Sequence, residues 1–206
     1  MHTVGMWSRF FPIGILTLLL IPNSLSMSIA GQAETPMVIL KAGTPVLELP
    51  ESLAALIVAK FPGLRIPTVD DMTGAWAAFS KREAVPYACL GDFNGDGLND
   101  VALILIGKDS WKNVAFHRTS GDGWESLKLG KFAGRDKEFT RQNLPQEFRL
   151  YTLKAGEKLK IGARIVERSK YKFDSIAFYG LGTRDSLIHY KWNAKHNLYV
   201  ATVYHL

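Results

Sequence analysis

One stretch of the chain, Gly91-Asp92-Phe93-Asn94-Gly95-Asp96-Gly97-Leu98-Asn99-Asp100, spaces oxygen-bearing side chains as a metal site would. Counting from Asp92, they stand at positions 1, 3, 5 and 9, with Gly97 at position 6. Alternate residues of a tightly curled loop can turn Asp92, Asn94 and Asp96 to one side. Gly97 permits a sharp turn at positive φ. The Leu98 carbonyl can then face inward, and Asp100 closes the ring from the start of the next strand. Hard oxygens in this pattern suit Ca²⁺, which takes about six to eight of them at roughly 2.3–2.6 Å. Mg²⁺ suits less well, because it demands octahedral geometry and gives up its waters reluctantly. Carboxylates gathered without a cation repel by about 1 to 4 kcal/mol per pair at 4 Å, depending on the dielectric. The expected role is structural: a cation clamping a turn and adding its binding energy to folding. The competing reading is a metal-free turn held by side-chain-to-backbone hydrogen bonds.

An EF-hand is excluded. Its position 12 needs a bidentate Glu, and here that position is Leu103. Residues 87–90 and 101–106, on either side, read as strands rather than helices. The decapeptide between two strands resembles the calcium loop of FG-GAP and VCBS-type repeats. That resemblance implies Ca²⁺ ligation by Asp92, Asn94, Asp96, Asp100 and the carbonyl of Leu98. It covers about twenty residues in a single copy, so no propeller follows from it. More loosely, the layout is similar to small exported bacterial proteins carrying one such loop, for which no activity is implied.

Other chemistry is weaker. Lys158, Lys160, Arg164 and Arg168 share one parity, as do Lys170 and Lys172, while Leu159, Ile161, Ala163 and Ile165 share the other. On one continuous strand the first set would line a face at steps of about 6.6 Å. That row is either a solvated edge guarded by cations or a docking strip for an anionic cell-envelope polymer or an acidic protein. No stacking motif interleaves it, so nucleic acid is a poor partner. His117, His189, His196 and His205 show no zinc spacing, and His117 and His189 read as strand-surface residues. No Gly-x-Ser-x-Gly elbow exists, and Glu125, Glu138 and Glu147 form no evident catalytic pair. Cys89, the only cysteine, reads as a small buried hydrophobe. Phe173, Phe178, Tyr179, Tyr190, Trp192, Tyr199 and Tyr204 read as core and cross-strand packing, with a carbohydrate platform as the alternative.

Specific elements must position these residues. Leu53, Leu56, Ile57 and Phe61 fall at helical spacing and stop at Pro62-Gly63. Met72, Ala75, Trp76 and Phe79 repeat that spacing after a cap at Thr68 or Asp70. From Val85 onward, short apolar runs alternate with turns: residues 114–116 and 124–129 flank Ser120-Gly121-Asp122-Gly123, and residues 148–153, 159–166, 186–192 and 198–204 follow. The expected fold class is α+β, with two N-terminal helices packed on a mainly antiparallel sheet of hairpins.

Residues 1–33 carry an address. Arg9 precedes an apolar run of about a dozen residues, with small-x-small pairs at Ser24/Ser26, Ser28/Ala30 and Gly31/Ala33. A spanning helix needs about 20 apolar residues, so a cleaved signal peptide is expected, leaving no integral membrane span. The remainder, residues 34–206, reads as one domain with the calcium-loop hairpin at 87–106. Its halves differ in charge: residues 34–100 hold five bases and nine acids, and 101–206 nineteen bases and ten acids. A 47% apolar share excludes intrinsic disorder, and a single Cys excludes an intrachain disulfide. Together these features lead to an exported, periplasmic or extracellular, calcium-binding module without enzymatic activity. The alternative is a secreted hydrolase acting on a cell-envelope polymer.

Overall fold

The computed structural model describes residues 35–41, 44–68, 71, 85–129, 131–132, 135–136, 147–161, 164–167, 171–181 and 186–205. The architecture is mostly β, which corrects the expected α+β class with two N-terminal helices. Strands β1 (Met37–Lys41) and β2 (Thr44–Glu48) form a hairpin, and helix α1 (Glu51–Lys60) follows. No other α-helix occurs among the described residues. The second expected helix, including Met72, Trp76 and Phe79, lies outside them. The physical reason for the correction is that strand alternation, not helix periodicity, builds nearly all of the core.

Two four-stranded antiparallel sheets do that building. The first runs β3-β4-β5-β6, with β3 Ala88–Gly91, β4 Asp100–Ile106, β5 Trp111–Arg118 and β6 Trp124–Lys128. Strands β7 (Lys131–Phe132) and β8 (Arg135–Asp136) pair in a short hairpin after it. The second sheet, ordered β14-β13-β12-β9, contains β9 (Glu147–Leu153), β12 (Ser175–Leu181), β13 (Ser186–Asn193) and β14 (Leu198–His205). Between β9 and β12 lies the hairpin of β10 (Leu159–Ile161) and β11 (Arg164–Glu167).

Alternation along β5 explains the layering. Trp111 stacks on Phe178 at 5.7 Å, Asn113 donates to the Tyr190 hydroxyl at 3.3 Å, and His117 meets Tyr199 at 2.7 Å, so the odd-numbered residues face the second sheet. Phe116 points the other way, edge-on to Phe61 at 6.0 Å. Phe61 directly follows α1, whose Leu53 and Ile57 join the same core cluster. This is the helix face expected from the sequence. With both of its faces covered, β4 is buried along its whole length. It reads as the unbroken run Val-Ala-Leu-Ile-Leu-Ile, as a doubly covered strand should. A smaller cluster of Leu153, Leu159, Ala177 and Leu187 includes residues of the second sheet and β10.

The expected strand over 159–166 is also corrected. The chain reverses after Ile161, pairing Ile161 with Arg164 and Lys160 with Ile165. No helix among the described residues is long and apolar enough to cross a membrane.

Candidate metal centre

Residues 92–99 form the turn between β3 and β4, so the loop sits on a hairpin of the first sheet. Gly95 and Gly97 take φ of 83° and 84°. Two left-handed residues in three curl the backbone so that its amides point inward. Asp92 Oδ1 accepts from the amides of Gly95 (2.7 Å) and Asp96 (3.1 Å), and Asp92 Oδ2 from Gly97 (3.0 Å). Asn94 Oδ1 accepts from the same Asp96 amide at 3.0 Å. Asp96 Oδ1 accepts from Leu98 at 2.8 Å, and the Asn94 amide nitrogen donates to Asp96 Oδ2 at 2.9 Å. The side-chain oxygens of positions 1, 3 and 5 are thus gathered on one short run of backbone.

Asp100 behaves differently. It is fully buried, with Oδ2 accepting from the Phe93 amide at 2.9 Å and Oδ1 from the Arg118 amide at 3.0 Å. Burial pushes its carboxyl up to about 7, against the lowering effect of those two amides. It pins the start of the loop to the end of β5. Among the described residues, no three His, Cys, Asp or Glu side chains group closely enough to hold a metal ion by themselves.

The donor set nonetheless suits a hard cation. A carboxylate offers about four lone-pair positions and an amide oxygen about two. Among the described residues, Asp92 accepts three hydrogen bonds, Asn94 one and Asp96 two, fewer than these positions in each case. Asp96 is exposed, and Asp92, Asn94 and Leu98 are half-buried. The loop is therefore open to solvent where a cation with its waters would enter.

Contacts from distant parts of the chain hold the loop, and local spacing could not reveal them. The Asp174 amide donates to the Asp92 carbonyl at 3.1 Å, while Asp174 Oδ2 accepts from the Asp92 amide at 3.3 Å. Lys154 Nζ lies 2.8 Å from the same oxygen, and the Ala155 amide donates to Oδ1 at 3.0 Å. The Phe173 ring covers Gly95 so closely that a Cβ there would collide with it.

The remaining candidates are dispersed. Lys158 is exposed; Lys160 and Arg164 belong to different antiparallel strands, and Arg168 lies outside the described residues. The single cationic row required one continuous strand, which the hairpin replaces. His117 and His189 are buried, not on the strand surface. His117 is satisfied by Tyr199, and its Nε2 partner and its edge contact with Trp192 at 4.6 Å explain how an imidazole can sit in the core. Burial pushes the His117 imidazole down to about 4. His189 Nε2 lies 2.8 Å from Ser175 Oγ, but both residues are enclosed, so this Ser–His pair is closed to substrate. Cys89 is a buried hydrophobe whose thiol burial pushes up to about 12. Phe178, Tyr190 and Tyr199 are buried as packing residues, while Tyr179, Trp192 and Tyr204 are half-buried. Glu125 is exposed on β6, and Glu138 lies outside the described residues.

No protein-family model matches the chain, and no match was found among the curated proteins or the solved structures. The likeness to FG-GAP and VCBS-type loops rests on residues 91–100 alone.

Proposed function

We propose that this chain is an exported, non-enzymatic interaction module whose 92–100 loop binds one structural Ca²⁺. The observation that carries this reading is the gathering of Asp92, Asn94 and Asp96 oxygens on the amides of residues 95–98, with coordinating capacity left on each. Those three side chains and the Leu98 carbonyl hold the ion, and waters complete its shell. Asp100 stands at the position the family pattern gives to the last ligand; as a buried residue it contributes by turning from the Phe93 amide toward the ion. The bound ion supplies positive charge that offsets the repulsion within the loop. The excess of bases over residues 101–206 supports an anionic cell-envelope polymer or an acidic protein as the partner, and the leader-like residues 1–33 support export.

Calorimetric titration of the EDTA-treated protein with CaCl₂ tests the metal claim. One site should appear in the range of about 10⁻⁴ to 10⁻³ M, typical of extracellular modules, and Asp96→Ala should abolish it. An absence of heat up to several millimolar would leave the loop as a metal-free turn.

A further inference from the structure

Phe173 and Asp174 lie outside the loop in sequence and yet contact it directly. Phe173 covers Gly95, midway between Asn94 and Asp96, and its ring leaves no room for a Cβ. The backbone groups of Asp92 are bonded on both sides by Asp174, the amide to Oδ2 and the carbonyl to the Asp174 amide. Asp174 is itself fixed by Lys154 Nζ and the Ala155 amide, in the turn that follows β9. Lys172 Nζ stands 5.1 Å from the Phe173 ring centroid on the neighbouring turn. Near these contacts, Thr152 of β9 donates to the Leu90 carbonyl of β3 at 2.6 Å. The loop of one sheet is thus gripped by two turns of the other.

We propose that Phe173 and Asp174 are positioning residues for the Ca²⁺ loop, and that ion binding and docking of the 154–157 and 171–174 turns onto that loop are coupled. The inference rests on the Ca²⁺ reading above. Its physical basis is reciprocity: if the docked turns hold the loop in its binding shape, the bound ion must stabilise the docked turns by the same factor. Residues that orient a ligand without touching the metal commonly alter its affinity by about 10- to 100-fold. A ring seated on Gly95 and a carboxylate bracketing Asp92 are placed for that role.

Three forms of the full chain test the coupling: the natural sequence, Phe173→Ala and Phe173→Tyr. Each is titrated with CaCl₂, and amide hydrogen exchange is followed at Ala155 and Asp174 with and without the ion. The expected result is one site in all three, weakened about tenfold in Phe173→Ala and restored in Phe173→Tyr. In the natural sequence, Ca²⁺ should slow exchange at Ala155 and Asp174, and in Phe173→Ala it should no longer do so. Equal affinity in the natural protein and Phe173→Ala, or exchange rates indifferent to Ca²⁺, would overturn the coupling while leaving the metal site standing. Absence of binding by the natural sequence would overturn both. Because the readouts are affinity and ion-dependent exchange, a variant that merely loses stability would not reproduce the expected pattern, and Asp174→Asn offers a second route should Phe173→Ala fail to fold.

Discussion

At the residue scale, two buried titratable groups set opposite pH dependences. His117 is held near 4 by burial against an ordinary value of 6.5, so the unfolded chain takes the proton first as pH falls. Its contribution is present above about 6.5 and is lost progressively toward 4, amounting to about 3 kcal/mol at most. Asp100 is raised to about 7 from 3.8, so its proton is retained in the fold and its contribution fades as pH rises through that same window. The two slopes partly cancel in the natural protein. In His117→Gln, which keeps a side-chain partner for Tyr199 but cannot titrate, denaturant unfolding in EDTA should lose stability between pH 4 and 7 as pH rises. A variant with the same profile as the natural protein would contradict the assignment. Asp100→Ala should cost about 2 to 4 kcal/mol at pH 6, since it strands the buried Phe93 amide of the loop and the part-buried Arg118 amide at the end of β5, read as a shift of the urea midpoint. What the sequence made visible at this scale was strictly local. Asp92, Asn94, Asp96 and Asp100 advertise themselves by spacing, whereas the partners of His117 and Asp92 stand 82 residues away. Neither the burial of the histidine nor the grip of Asp174 leaves a local signal.

At the element scale, α1 and the loop behave as designed by their own residues. Leu53, Ile57 and Phe61 recur at helical spacing and are buried, and the helix stops where Pro62-Gly63 must stop it. Leu53→Ala should destabilise by about 2–5 kcal/mol, while Val58→Ala, at a position 73% exposed, should change stability by less than about 0.5 kcal/mol. Thermal unfolding of the two variants side by side checks this; similar losses would place the wrong face of α1 in the core. Asp122, in the expected turn between β5 and β6, is left-handed at φ 58°. Strand β12 and the short β7 and β8 were not foreseen, while most other strands were legible from alternation and turn residues. The β10–β11 hairpin was not, because Leu159, Ile161, Ala163 and Ile165 keep strict parity straight through the turn. The antiparallel pairing of β10 with β11 is compatible with the pattern of a continuous strand, yet it separates Lys160 from Arg164 onto two strands. Gly95→Ala tests the loop as an element: left-handed backbone and the Phe173 ring both oppose a Cβ, so the variant should melt lower and bind Ca²⁺ more weakly than Gly121→Ala, which meets open space.

At the scale of the whole molecule, the two sheets share one core, and the loop ties the turn of one to the turns of the other. The fold class eluded the sequence because helix periodicity in two short segments suggested a helical layer, while the strands of the two sheets announce themselves only pairwise. How the sheets stack depends on contacts such as Trp111 with Phe178, which no local pattern encodes. Export is a separate claim about residues 1–33. The protein should be recovered from outside the cytoplasm and begin within about ten residues of Ala33, at a site following the small-x-small rule; recovery only from the cytoplasm would refute export, and N-terminal sequencing that finds Met1 retained would refute cleavage. The central claim remains the metal. The most direct measurement is the melting temperature of the full chain in EDTA, in 10 mM MgCl₂ and in 10 mM CaCl₂. A site of about 10⁻⁴ M should add about 2.7 kcal/mol in 10 mM CaCl₂, raising the midpoint by several degrees, with little change in Mg²⁺ and none in Asp96→Ala. Identical midpoints in all three solutions would contradict the account.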